Sequence, residues 1–402
     1  MIAHVDADSF FASVIIRTNP ALRGKPLLAI GMGGGCVIAA TYEAKAKGVK
    51  TGMRLSDARK LVPGAIEMAA DFRETGIASE QIESILRDRC PVIEQMSIDE
   101  WFLDLKSIVG GVPEDLDAWG KKVQADVLSY TALSVSIGVA PSKLLAKMSG
   151  EYRKPAGVTV TPEDPVQIER FLRDRPAAAI PGIGRQRQAK TDVFGWNTAW
   201  DIANAPKAEF IRICGRPGDE MQRELLGERV DKVSSIIVPP KSISRCRTFK
   251  GTEDTKILKA HLLKHLEYCT MKMRRWNLGC TEVSVWIRTP DFAFRGDHRR
   301  LGRTCITMTQ IQPVALAALS RLTWYGSRYN QVGLALYAFK NAEFLQDSLF
   351  EDPEKTRNDE KLQKALDSLH TLYGRDSVTR AAALPVASGT KKDLDFSIVD
   401  VL

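Results

Sequence analysis

Nowhere in these 402 residues does an apolar run approach the ~18 that cross a bilayer. The N-terminus MIAHVDADSFF also has no basic stretch ahead of an apolar one, so a soluble, non-secreted protein is expected. Cysteine is sparse and unpatterned. Cys36, Cys90, Cys214, Cys246, Cys269, Cys280 and Cys305 form no C-x-x-C and no zinc spacing, which argues against a disulfide framework or a zinc module and fits a reducing cytoplasm. Histidine is scarcer still, at five. His261 and His265, four apart in KILKAHLLKHLEYC, lack the glutamate of a zinc protease and sit among lysines that repel a cation, so a solvated helix face is expected. The glycine run GMGGG at 31–35 has no Lys-Ser or Lys-Thr after it and leads into a strand, which predicts a hairpin turn rather than a phosphate loop.

What is present is globular in composition, with 44% hydrophobic and 26% charged residues, and too long for one ordinary core. The net charge of +8 is unevenly placed. From Lys241 to Leu345 there are 18 Lys and Arg against 7 Asp and Glu, so the rest of the chain is slightly acidic. A block carrying KSISRCRTFK, RRW and FRGDHRR has the electrostatic footprint of a polyanion-binding surface, and Lys241, Arg245, Arg247, Arg295, Arg299 and Arg300 are its candidate phosphate contacts.

Periodicity predicts a mixed α/β beginning: a buried strand IAHVD, two strands around the glycine turn, and helices over 42–53 and 55–62. A helix SEQIESILRDRC precedes the hairpin-like VIEQMSIDEWFLDL. A helix over 116–130, the strand LSVSIGVA and a helix opening at the proline of PSKLLAKMSGEYRKPAG come next. From 162 to 233 the pattern is helical, broken by IPGIG, RICGRPG and LLGE. After the linker prolines Pro239 and Pro240, the segments SISRCRTF, KILKAHLLKHLEYCTMKMRRW, TEVSVWIRT, RTCITMTQ, PVALAALSRLTWY and QVGLALYAF spell β-α-β-β-α-β, a two-layer module.

Asp99 and Glu100 stand side by side in a strand that otherwise wants a core, and like charges there are costly without a neutralising cation. Asp6 ends the first strand, which is expected in the same sheet. Three converging acids suit oxygen-ligated Mg²⁺, which keeps positions open for substrate phosphates, and two such ions clamp an in-line phosphoryl displacement. From spacing alone, an ordinary acidic pair at a strand edge serves equally well.

DADSFFASV, YEAKAKGVKTGM, SIDEWFLDL, SIGVAPSKLLAKMSGEYRKPAG and IPGIG occur in the order and at the separations found in the Y-family DNA polymerases, the translesion enzymes of the DinB and UmuC type, which this chain resembles from Met1 to about Leu345. The resemblance implies an α/β multidomain right hand: palm over 1–10 and 71–161, fingers over 11–70, a helical thumb over 162–235, and a little finger over 241–345 that grips DNA. It implies that Asp6, Asp99 and Glu100, with the carbonyl of Ala7, hold two Mg²⁺ ions, and that Asp8 and Asp104 are structural. Tyr42, Lys45 and Lys154 would bind the triphosphate of a dNTP. Lys45 stands where the family usually has arginine, and so keeps the charge but loses the bidentate fork. Phe11 matches the steric gate under the incoming sugar. Phe10, counted with it among the nucleotide-binding positions, is better described as a core aromatic. Cys36 and Ile38 fall on the strand that roofs the nascent base pair. Gly182 and Gly184 resemble a helix-hairpin-helix turn, whose free amides bind the phosphates of primer-template DNA without reading bases.

Two departures stand out. Trp101 replaces a small residue, and Thr75 stands where tyrosine is common. The tail over 346–402 looks UmuC-like, and QDSLF resembles the peptide that bacterial polymerases insert into the sliding clamp, with Gln346, Leu349 and Phe350 as anchors. A UmuD-like partner is a further implication. A catalytically dispensable DNA-binding accessory and a two-metal nuclease are the rival functions. The first leaves the acids without use, the second Phe11 and Tyr42.

Overall fold

Odd and even residues of the first strand, β1 (Ile2–Ala7), face different cores, and this makes it a central strand. It runs into α1 (Phe10–Thr18), followed by β2 (Leu27–Ile30), β3 (Val37–Ala40), a short α2 (Tyr42–Lys45), α3 (Leu55–Leu61) and β4 (Ile66–Ala69). Next come α4 (Phe72–Arg89), β5 (Ile93–Ser97), β6 (Glu100–Asp104), α5 (Leu116–Thr131), β7 (Val135–Ala140), α6 (Lys143–Tyr152) and β8 (Val158–Val160). The helices α7 (Pro165–Arg173), α8 (Arg185–Val193), α9 (Ala199–Ala203), α10 (Lys207–Cys214) and α11 (Pro217–Leu225) complete the first of two units, Met1–Ile237. The computed structural model describes residues 1–31, 35–344, 353–374 and 377–386.

The main sheet has the order β5-β6-β1-β7-β8, with β1 antiparallel to both neighbours. Ala3, Val5 and Ala7 bury against Ile82 and Leu86 of α4 and Val123 and Val127 of α5. On the other face, Ile2, Phe102 and Ala140 pack with Leu145 and Ala146 of α6 and with the helices that follow β8. A smaller sheet, β3-β2-β4, lies between α1 and α4 in the sequence.

The second unit begins at Val238 and holds β9 (Ser242–Thr252), α12 (Thr255–Arg275), β10 (Leu278–Arg288), β11 (Phe294–Cys305), α13 (Met308–Leu322) and β12 (Tyr329–Asn341). This is the expected β-α-β-β-α-β order, closed as an antiparallel sheet β11-β10-β12-β9 around one core with both helices. A last helix, α14 (Pro353–Tyr373), docks through its polar side. Asp367 accepts two bonds from Arg274 at 2.8 and 2.7 Å, Asp359 accepts from Thr309 at 2.9 Å, and Gln363 and His370 are buried.

Several expectations are corrected. The helix expected over 42–53 stops at Lys45, because Gly48 and Gly52 take positive φ (94° and 83°) and turn the chain. β4 and β8, four and three residues long, are too short to give a periodic signal. RTCITMTQ is the end of β11 followed by the start of α13, where Thr307 and Gln310 form a capping box. The helix expected to open at Pro141 opens at Lys143, capped by Ser142. His261 and His265 are buried, not solvated: they face the sheet, His261 stacked on Phe249 at 4.4 Å. Residues 32–34 of the glycine turn, and QDSLF with Gln346, Leu349 and Phe350, lie outside the described residues.

Candidate active site

The pairing register sets the site. β1 and β6 place Asp6 directly opposite Glu100, and β1 and β7 place it opposite Ser136. His4 is two residues before Asp6 and therefore on the same face. The ligand atoms of His4, Asp6 and Glu100 lie within 4.8 Å of one another. Asp99 sits in the turn before β6 rather than on it. Its backbone carbonyl accepts from Ala7 N–H at 2.9 Å, and its carboxylate accepts from Ser97.

The neutralising cations that an acid cluster requires come from α6 and the loop after it. That helix crosses the sheet very closely: a Cβ on Gly138 of β7 would lie 2.0 Å from the carbonyl oxygen of Ala146 and 2.1 Å from Gly150 N. Only glycine permits this approach. It presents Lys143, Lys147 and Glu151, spaced four apart, along one face. The buried Lys143 donates to Glu94 at 2.8 and 2.9 Å, Lys147 pairs with Glu100, and Glu151 accepts from Lys154, which also donates to Asp6 at 2.6 Å.

Burial governs the protonation of this group. Asp6 is pushed up to about 7 by desolvation, which outweighs its bond to Lys154; Asp99 and Glu151 add to the rise. For Glu100 desolvation also raises the pKa, but bonds from His4 and Lys147 prevail and hold it at about 2. Desolvation lowers the His4 pKa despite Glu100. A neutral imidazole beside an ionised carboxylate must donate its Nε2–H, here at 2.6 Å, which leaves Nδ1 without a partner.

A second tier holds the candidate nucleotide side. Asp8 is buried and accepts from Ser136 Oγ at 2.7 Å, Ala156 N at 2.9 Å and the Tyr42 hydroxyl at 3.3 Å, so it ties β1 to β7, to α2 and to the Lys154 loop. Lys45 lies over the Tyr42 ring, 4.5 Å from its centroid, and donates to Ser9 Oγ at 2.7 Å. Its pKa is lowered by burial and then by Lys154. Asp104 pairs with Arg229 and is remote from the cluster in register. Phe10 is 2% exposed within the main core. Phe11 is half-buried, edge-on to Phe72 at 5.7 Å, and packs against the same apolar cluster as Ile38. Cys36 is exposed.

Farther off, Gly182 has φ 99° and Gly184 is the N-cap of α8, whose first amides no side chain caps. In the second unit Lys241 is exposed. Arg245 and Arg247 share the β9 face of buried Ile243, and Arg245 lies over Tyr268 at 4.4 Å. Arg299 pairs with Asp297, Arg300 with Glu282, and Arg295 stacks on Trp324. The sequence reading missed His4 and Lys147. The signals were there: the period of two places His4 beside Asp6, and the period of four places Lys147 between Lys143 and Glu151.

Comparison with known proteins follows the same lines. Residues 5–151 match the impB/mucB/samB family model, and residues 240–349 match the model of that family's C-terminal domain. DNA polymerase IV of Caulobacter vibrioides is 30% identical over 95% of this chain and 94% of its own length; that of Methanoculleus marisnigri is 33% identical over 75% and 84%. Among solved structures, a Y-family DNA polymerase chimera of Dbh and Dpo4 has a TM-score of 0.74 at 27% identity, covering 84% of this chain and 98% of that one. An insertion ternary complex of Dbh DNA polymerase covers the same shares, with a TM-score of 0.58 and 26% identity. Similarity of this kind, running through the acid-bearing sheet and on into the basic second unit, makes the chain a member of the Y-family DNA polymerases of the DinB type.

Proposed function

We propose that this protein is a template-directed DNA polymerase that carries out translesion synthesis, joining dNTPs to a primer 3′-hydroxyl with release of pyrophosphate. The observation that carries the reading is the register that sets Asp6 opposite Glu100, with Lys154, Lys45 and Tyr42 grouped beside them. In this reading the palm is 1–10 and 71–161, the fingers 11–70, the thumb 162–235 and the little finger 241–345.

The donor set fits a hard divalent cation: carboxylate oxygens of Asp6 and Glu100 lie within 4.8 Å of each other, at a spot where ammonium groups already stand on the same two side chains, and Asp99 is in the adjoining turn. Asp6, Asp99, Glu100 and the Ala7 carbonyl would hold two Mg²⁺ ions, which supply Lewis acidity toward the 3′-hydroxyl and the triphosphate. The protein's own groups do the rest. Lys154 and Lys45 attract the triphosphate, and the Tyr42 hydroxyl, which donates to Asp8 at 3.3 Å, would turn its one proton to the triphosphate instead. Phe11 fills the space that a ribose 2′-hydroxyl needs. Cys36 and Ile38 cover the nascent pair. The amides after Gly184 hold the DNA backbone, and Lys241, Arg245, Arg247, Arg295, Arg299 and Arg300 border the second unit's DNA surface. Gln346, Leu349 and Phe350 would dock on a sliding clamp, and a UmuD-like protein would be a further partner. No described helix is long and apolar enough to cross a membrane.

A primer-extension assay with Mg²⁺ and single dNTPs tests the reading. Asp6→Ala, Asp99→Ala and Glu100→Ala should each slow extension by roughly a thousandfold, ~4 kcal/mol of transition-state stabilisation, while duplex binding persists. Extension by the triple variant near the parent rate would refute it, and strand cleavage without extension would favour a nuclease.

A further inference from the structure

Between Ser242 and Asn341, the exposed large hydrophobic side chains are all aromatic: Phe292, Phe294, Trp324 and Tyr325. The first two lie on the hairpin joining β10 to β11, the others on the loop joining α13 to β12. The two segments meet. Thr289, Ala293 and Arg295 of one line a cleft of about 130 Å³ with Trp324 and Ser327 of the other. Tyr325 is fully exposed, and Trp324 is 53% exposed although Arg295 lies on its ring at 3.3 Å.

Scattered surface hydrophobics need no explanation, but two adjacent exposed rings beside a cleft do. Its cation points to the occupant. Arg295 lies on Trp324 and has no ion pair among the described residues. Arg299, Arg300 and Arg321 of the same unit are engaged by Asp297 and Glu282. An uncommitted guanidinium group beside exposed rings can take a backbone phosphate while the rings stack the bases. A duplex hides its base faces; a single strand offers them. A surface for a protein partner would have no need for every anchor to be a ring.

We infer that this end of the second unit binds single-stranded DNA, with unpaired bases stacked on Trp324 and Tyr325 and the backbone on Arg295. The inference rests on the proposed function only in naming the strand as DNA.

Full-length protein is titrated by fluorescence anisotropy with labelled oligo(dT), an abasic strand of equal length and a blunt hairpin duplex, each over a salt series. The parent should prefer oligo(dT) to the abasic strand. Trp324→Ala/Tyr325→Ala should lose that preference, with Kd for oligo(dT) rising about tenfold or more. Duplex affinity and the salt slope should stay as they were, since the phosphate contacts remain. Tyr325→Ala alone, at a fully exposed ring, should show a smaller loss in the same direction without any cost to folding. The inference is overturned if the parent shows no such preference, if the double variant keeps it, or if duplex and single-strand binding fall together. A patch built for a protein gives the second result. Parent primer extension is scored separately, so the polymerase reading and this one fail independently.

Discussion

Acid should loosen the second unit through His265. The ring is 3% exposed on α12, its two nitrogens make no hydrogen bond of good geometry, and desolvation lowers its pKa to about 3, aided by Arg245, His261 and Arg247. His261, one turn earlier, is lowered to about 4 by burial and then by Arg247 and Lys264. Both folded pKa values lie below the unfolded value near 6.5, so the unfolded chain binds more protons in the window between them. Their stabilising contribution is complete above about pH 6.5 and is lost as pH falls toward 4 and 3. At about pH 5, His265 alone costs ~2 kcal/mol relative to about pH 7.5, and His261 adds a term of the same sign. Urea unfolding read by pulsed hydrogen exchange on α12 and β10 peptides isolates this unit. His265→Phe removes the titration, and any packing cost of the new ring cancels when each protein is compared with itself at the two pH values. The parent should lose ~2 kcal/mol more than the variant on acidification. An equal loss in both would refute the buried-neutral assignment.

Three further outcomes are expected. Phe11→Ala should raise insertion of matched ribonucleotides by about 30-fold to 1000-fold with far less effect on dNTPs, from ~2 to 4 kcal/mol of relieved clash or desolvation, whereas Phe10→Ala should lower the melting temperature and both activities together; single-turnover kinetics with ATP and dATP separates them. Replacing Gln346, Leu349 and Phe350 by alanine should abolish stimulation by a loaded clamp and leave insertion on naked primer unchanged; equal stimulation would make QDSLF a linker. Asp8→Ala leaves the Ser136, Ala156 and Tyr42 donors without their acceptor and should cost about 2 to 4 kcal/mol in stability, with a rise in KM for dNTP exceeding that of Asp104→Ala in steady-state kinetics.

The parts of this fold that repeat were legible. The alternation in VSVWIR and the four-residue spacing through KILKAHLLKHLEYC announced the strands and helices of the second unit, and the acids of DAD and SIDE announced a meeting of carboxylates, which the register makes between Asp6 and Glu100. Periodicity, however, says which residues share a face and not what covers that face. His261 and His265 look like a polar stripe among lysines until β9 is laid over them with Phe249. Lys147 looks like any surface lysine until two glycines bring α6 down onto β7. Trp101 is unusual after Asp-Glu, yet it is wholly buried in the main core. Such facts belong to pairs of elements far apart in the chain.

That separation governs when the acid cluster forms during folding. Asp6 meets Glu100 across a chain separation of 94 residues, and Ile2 meets Ala140 across 138, because β1 is the centre of a sheet whose partners are made much later. Closing such loops carries an entropic cost before any contact returns it, so the carboxylate pair assembles only with the sheet as a whole. The β3-β2-β4 sheet, contained within about 43 residues, has no such delay. During synthesis the nascent protein therefore carries Asp6 without Glu100 or Ser136 beside it, and the acid cluster forms in one cooperative step when β6 and β7 dock on either side of β1.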